Sequence, residues 1–310
     1  MQAICNRDFR AAKQLHGVAN LCVEPISVMG TWDIFAARRL SKLIRVFRAD
    51  VVHAHLARAA HLCARGVRES GVRLVTNSHN YIALKYYTGV DAFVVPTIRQ
   101  QTYLAHEGIA VDKIKFIPHF CRAPLSRYRA TSHHALFASL GRMVRKKGFD
   151  VLIKACAILR GQGYDAHLIL GGTGAEGERL RGLVRESGLQ QHVEFVGWVD
   201  SVREFLNRAD VFVLPSREEP FGIVLLEAMA ARLPVVSTRT DGASEIFDDE
   251  SAYLVAVDDA VALAKAMRSA LTERTESGRR AWNAQALYRA KYTADVVVPQ
   301  YEALYESLAH

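Results

Sequence analysis

Short runs of β-branched and aromatic residues recur along the chain, each followed by a turn and then by a stretch with helical spacing. Asp50-Val51-Val52-His53-Ala54-His55, Val72-Arg73-Leu74-Val75-Thr76, Ala92-Phe93-Val94-Val95-Pro96 and Lys115-Phe116-Ile117-Pro118 lie in the first part. Ala3-Ile4-Cys5 and Asn20-Leu21-Cys22-Val23 precede them. A second series begins at Ala135 to Gly141 and continues with His167 to Gly171, Val193 to Gly197, Val211 to Leu214, Pro234 to Ser237 and Ala252 to Val255. Runs that are apolar at successive positions predict strands covered on both faces. Their alternation with helices predicts parallel sheets flanked by helices, an α/β fold. The 310 residues allow two such domains.

Between strands, Leu40, Leu43, Ile44 and Phe47 share one helical face, with Arg38, Lys42 and Arg45 opposite. This reads first as a helix on a sheet with a solvated basic face, and second as a membrane-surface contact. Tyr301, Leu304, Tyr305 and Leu308 give the last helix, from about Pro299, a packing face. The polar, basic stretch Cys121 to His134, with Pro124, reads as a linker. The expected division is 1–122, a linker at 123–134, 135–292, and a closing helical segment at 293–310.

Charge is unevenly spread. Residues 1–130 carry 19 Lys and Arg against 8 Asp and Glu, a net of +11, whereas residues 131–310 carry 21 against 24. The first part should attract phosphate-bearing substrates, acidic lipid or nucleic acid. Five scattered cysteines with no C-x-x-C pair favour a reducing compartment and no zinc site. Neither a signal peptide nor a run of about 20 apolar residues is evident, so a cytoplasmic protein is expected.

The richest stretch for chemistry is Glu219-Pro-Phe-Gly-Ile-Val-Leu-Leu-Glu227. A strand ending at Leu214, a polar loop and a helix would leave backbone N–H groups free near Gly222, where an anion can dock between two carboxylates. The bland alternative is a buried helix with solvated acidic ends. Gly141-Arg-Met-Val-Arg-Lys-Lys147-Gly148 follows another strand and could supply cations to the same anion, or form only a basic surface loop. Gly171-Gly172-Thr173-Gly174 makes a strand-to-helix turn that a ligand can approach closely. It lacks a clean G-x-G-x-x-G with a following acid, which weighs against a dinucleotide site.

Together these segments resemble the E-x7-E and G-R-x4-K-G motifs of retaining GT-B glycosyltransferases of the family-four type. The resemblance spans nearly the whole chain and is strongest over 139–247, where it includes Asp241-Gly-Ala-Ser-Glu-Ile246. It implies two Rossmann-like domains facing across a cleft, with the final helix crossing back to the first. Residue by residue, it implies that Arg142 and Lys147 bind the diphosphate of a UDP- or GDP-sugar. Glu219 would contact the donor sugar and Glu227 the ribose. Gly172, Phe221, Gly222 and Ile223 would line the donor site, and Trp198 and Val199 would lie near the base, although Trp198 could equally fill the core. His79, in Thr76-Asn-Ser-His-Asn80, would lie near the sugar and acceptor, with His55 a weaker candidate.

The implied activity is sugar transfer from a nucleotide diphosphate sugar to a hydroxyl acceptor, saccharide or lipid-linked, in bacterial envelope glycan assembly such as that of lipopolysaccharide. No metal or further cofactor and no nucleic-acid partner are implied. The basic half would suit peripheral contact with an acidic membrane. Rival readings are a nucleotide-sugar epimerase on the same scaffold and an inactive sugar-nucleotide-binding protein. Asp248-Asp249 and Asp258-Asp259 are read as solvated loop acids.

Two departures from the family pattern stand out. Residues 1–24 match the second strand, second helix and third strand, so a preceding strand-turn-helix of about 30 residues is expected but not seen in this sequence. Its strand would be central, and the N-terminal sheet is therefore expected to be incomplete. His119-Phe120 also stands where the family usually has Asn-Gly.

Overall fold

The computed structural model describes residues 1–7, 15, 17–79, 81, 84–125 and 135–309. The chain divides into two compact units, Met1–Ile117 with Gln300–His310, and Pro118–Pro299. Most of the expected linker, and the helix expected between the first two strands, lie outside the described residues.

In the first unit, β1 (Gln2–Asn6) and β2 (Cys22–Ile26) form a two-stranded parallel sheet. A separate parallel sheet has the order β3 (Val51–His55), β4 (Arg73–Asn77), β5 (Ala92–Val95) and β6 (Ile114–Phe116). The strands expected from the sequence are thus present, and among the described residues they form two separate sheets. Helix α1 (Ile34–Phe47) and helix α2 (Leu56–Ser70) pack on one another and share a core with Ile26, Leu74 and Phe93. Gly66 permits that approach, since a Cβ there would lie 2.8 Å from the Ser41 backbone. Phe47, expected on the packed face of α1, is 45% exposed at the frayed end beside Arg48, whose φ of 53° closes the helix. Helix α3 (Ile98–His106) follows β5, capped by Thr97.

The second unit holds six parallel strands in the order β12 (Tyr253–Val255), β11 (Val235–Thr238), β10 (Val211–Leu214), β7 (Ala135–Leu140), β8 (Ala166–Gly171) and β9 (Val193–Gly197). Central strands such as β10 are buried at every position because helices cover both faces. Helices α4 (Phe149–Gly161) and α9 (Ala260–Thr272) lie in the core cluster on one side. Helix α7 (Ile223–Ala230) belongs to the other cluster, with part of α10 (Arg274–Lys291). Helices α5 (Gly177–Glu186), α6 (Val202–Asn207) and α8 (Asp241–Ile246) complete the alternation.

The last helix, α11, runs Ala294–Ala309 and begins five residues before the expected start, with Pro299 inside it. Proline is tolerated in a helix's first turns, and here it sits one turn inside the helix. Leu304 is buried on the expected face.

Candidate functional site

In the second unit the loops that follow β7, β8 and β10 meet at the C-terminal ends of the strands. Their approach is set by glycine. The N–H of Gly141 donates to the Gly171 carbonyl at 3.1 Å, and that of Met143 to the Thr173 carbonyl at 2.9 Å. Gly172 has φ +114°, and a Cβ there would fall 1.9 Å from the Gly141 carbonyl oxygen. Only glycine fits both the conformation and the space.

Lys147 lies in a single helical turn after Met143, and its aliphatic stem crosses Gly141. Its ammonium is hydrogen-bonded to Glu219 Oε2, which Ser216 Oγ also approaches at 3.4 Å. The lysine and glutamate side chains are only 16% and 10% exposed. Two residues 72 positions apart, read from separate motifs, are therefore one ion pair. Arg142 is exposed and makes no ion pair among the described residues.

Gly222, with φ +92°, turns the loop into α7 without a side-chain cap. Backbone N–H groups at the start of α7 are left for an anion, and the helix dipole adds to the attraction. Ile223, the first residue of α7, is 47% exposed at this end. Glu227 lies one turn farther on, where burial raises its carboxyl to about 7. The loop is braced from behind: the N–H of Gly242 donates to the Glu219 carbonyl at 2.9 Å, and a Cβ on Gly242 would strike the Phe221 backbone at 2.1 Å.

Phe221 is buried, with the His119 ring edge-on at 5.0 Å and Tyr292 at 6.0 Å. The His119 departure therefore has a packing role against the glutamate loop. Trp198 is 64% exposed, with Nε1 donating to Asp200 at 3.0 Å, so it does not fill the core. The Val199 side chain instead packs at Gly171.

Sequence reasoning did not find the clamp behind these loops. Arg217 makes two 2.9 Å bonds to the Asp150 carboxylate and donates to the Arg145 carbonyl at 2.7 Å. It also meets Asp258, while the Arg217 N–H donates to the Lys146 carbonyl at 2.8 Å. Planar guanidinium geometry thus ties the lysine turn to the glutamate loop. The other acidic pairs are also used locally: Asp249 meets Arg239, Asp259 caps α9, and Asp248 bonds Ser251.

His79 belongs to the first unit. Its Nε2 is 3.3 Å from His55 Nδ1, and the His55 ring stacks on His53 at 4.7 Å. His53 Nε2 lies 2.8 Å from Asn77 Oδ1, an acceptor, so it carries the proton, and Nδ1 accepts from Tyr305 at 2.5 Å. Asn77 in turn donates to Tyr301 at 3.1 Å. Burial and the nearby rings push His53 down to about 4, and burial lowers His55 and His79 as well. This is an array of neutral imidazoles. The strand carrying His53 and His55 ends in a strained junction: Leu56 has φ +72°, uncommon for a bulky residue.

Among the described residues, Asp165, His167 and His192 form a group of potential metal ligands spread over as much as 4.8 Å. They lie around the start of β8, where Arg160 already pairs with Asp165 at 2.9 Å. That cation makes the group a poor metal site, and it lies at the strand ends opposite the glycine loops.

Residues 127–287 match the family described as Glycosyl transferases group 1, and residues 6–123 match Glycosyltransferase Family 4. The chain is 31% identical over 252 residues to "Lipopolysaccharide core biosynthesis glycosyltransferase LpsD" of Rhizobium meliloti (strain 1021), covering 77% of this chain and 71% of that protein. It is 35% identical over 170 residues to LpsE of the same strain, described in the same words, covering 54% of this chain and 49% of that protein. Among solved structures, Anabaena Alr3699/HepE in complex with UDP and glucose has a TM-score of 0.79 at 19% identity, covering 92% of this chain and 86% of that one.

Proposed function

Because the chain belongs to the glycosyl transferases group 1 family, we propose that it moves a sugar from a nucleotide diphosphate sugar to a hydroxyl acceptor, with retention at the anomeric carbon, in bacterial envelope glycan assembly. The observation that carries this reading is the Lys147–Glu219 pair beside an uncapped helix start, with Glu227 one turn away.

The donor diphosphate lies between Lys147, Arg142 and the N–H groups near Gly222 and Ile223. Glu219 orients the sugar hydroxyls and Glu227 accepts hydrogen bonds from the ribose. Gly172 lets the donor approach the backbone, Phe221 holds the loop, and Trp198 with Val199 flanks the base. As the bond from the anomeric carbon to the phosphate oxygen breaks, its electron pair stays with the leaving phosphate. Fixed cations and N–H groups then stabilise more charge than in the ground state. The acceptor oxygen bonds to the same face of the anomeric carbon, and its proton passes to the departing phosphate. No enzyme nucleophile is used, and His79 is proposed as a further participant in the reaction.

The relatives described as lipopolysaccharide core biosynthesis glycosyltransferases support an envelope acceptor, and a similar fold solved with UDP supports a nucleotide sugar. UDP- and GDP-sugars are the donors to compare. No helix of the described residues is long and apolar enough to cross a membrane. We place the protein in the cytoplasm, in peripheral contact with the acidic inner membrane face through its basic first part.

A panel of UDP- and GDP-sugars with a saccharide or lipid-linked acceptor tests the proposal, with the anomeric configuration read by NMR. A product of retained configuration is expected. An inverted product would refute the mechanism, and an epimerised donor formed without acceptor would favour epimerisation over transfer.

A further inference from the structure

We propose that the outer face of α1, with the turn leading into it, docks on an acidic lipid bilayer. Ala36, Leu40, Ser41 and Ile44 bury one side of this helix. At 3.6 residues per turn, Ile34, Phe35, Arg38, Arg39, Lys42, Arg45 and Val46 fall within an arc of about 140° on the other. Phe35 is 72% and Val46 73% exposed, and the turn adds Met29 at 92% and Trp32 at 74%.

Cations outnumber the acids that border this face: Glu24 pairs with Arg39, and Glu69, paired with Arg65, also feels the charge of Arg45. Helix α1 contains no acidic residue. Arg39 is paired with Glu24 at 2.7 Å, but Arg38, Lys42 and Arg45 make no ion pair among the described residues. Asp33, just before the helix, is occupied as its cap, accepting from the N–H groups of Met29, Phe35 and Ala36 at 2.9–3.1 Å. That cap fixes the turn, and the Trp32 ring rests edge-on against His61 at 4.6 Å. The apolar display is therefore held in place by the fold. Met29 to Phe35 also line an open cavity of about 400 Å³.

Exposed apolar side chains among a surplus of cations match the boundary of an anionic bilayer, where side chains enter the acyl edge and cations stay with the headgroups. A nucleic acid would use the cations but gain little from Met29, Ile34 and Val46. The inference rests on the membrane part of the proposed function and gives that contact a surface. It does not depend on the donor site.

The test is co-sedimentation of the full chain with phosphatidylglycerol-containing and pure phosphatidylcholine vesicles at low and high salt. Preferential binding to the anionic vesicles, weakened by salt, is expected. Arg38→Gln, Lys42→Gln and Arg45→Gln should each lower partitioning about fivefold, and Trp32→Ser with Phe35→Ser about tenfold or more. Met29→Ser with Val46→Ser is a second apolar variant, at positions whose exposure keeps it from unfolding the chain. Equal binding to neutral vesicles, or none to either, overturns the proposal. So does loss in the charge variants with full binding in both apolar variants, the pattern of a simple polyanion face. Nucleotide-sugar binding measured on the same samples separates this failure from a failure of the donor reading.

Discussion

Glu227→Gln isolates the cost of holding a carboxylate on α7. Burial raises this group from 4.5 to about 7, which corresponds to roughly 3 kcal/mol at about 1.4 kcal/mol per pH unit. Allowing for residual contact with water, about 1.5–3 kcal/mol is a fair range. The sign follows from linkage. Between pH 4.5 and 7 the folded protein keeps a proton that the unfolded chain has lost, so this group makes stability fall as pH rises through that window. Above pH 7 the full cost is present. Glutamine keeps the shape without the charge, so the variant should be more stable than wild type at pH 8. For a unit of this size its midpoint should rise by about 4–10 °C. The gain should vanish near pH 4.5. Differential scanning calorimetry of both proteins across pH 4.5–8 measures the difference directly, and the histidines cancel because both proteins carry them. A variant no more stable than wild type at pH 8, or a gain independent of pH, would refute the reasoning. The same substitution should weaken nucleotide-sugar binding, and wild-type affinity by isothermal titration calorimetry would reject the ribose role.

Other expectations are specific to single residues. Lys147→Ala should lower kcat by about 10²–10³, and wild-type turnover in a transfer assay would remove it from the leaving phosphate. Gly172→Ala places a Cβ 1.9 Å from the Gly141 carbonyl and should destabilise the second unit by at least ~2 kcal/mol, with thermal unfolding as the check. Leu56→Gly should relieve about 1 kcal/mol of left-handed strain, and a destabilised variant in urea unfolding would show that its side-chain packing matters more. His53 has its pKa depressed from 6.5 to about 4, so its contribution is complete above pH 6.5 and is lost as pH falls through 4. His53→Phe should flatten the acid limb of the stability curve there, and an unchanged limb by circular dichroism would contradict the assignment.

Strands such as β10 were legible in the sequence because they are buried on both faces, which forces successive apolar residues. The placement of the glutamates and the lysine on loops at the strand ends was legible because fixed spacing after a strand end is a local property. The clamp was not: Arg217 and Asp150 are 67 positions apart, and neither residue differs in type from a solvated surface charge. The His119 contact with Phe221 and the His53–Tyr305 bond are likewise products of tertiary approach, with no periodicity to announce them. Trp198 shows the limit of hydropathy, since an indole suits a core and an exposed ligand edge equally well. Pro299 shows that a helix-start signal can yield to the packing of residues on either side.

The central claim is that the loops around Lys147, Glu219 and Gly222 hold a nucleotide diphosphate sugar. A thermal-shift titration with UDP- and GDP-sugars tests it most directly, because a ligand at about 100 times its Kd stabilises by about 2.7 kcal/mol. The account predicts a saturable rise of roughly 5–10 °C with at least one donor, abolished by Lys147→Ala. A panel in which no nucleotide sugar shifts the midpoint, or one whose shift survives that substitution, would contradict it.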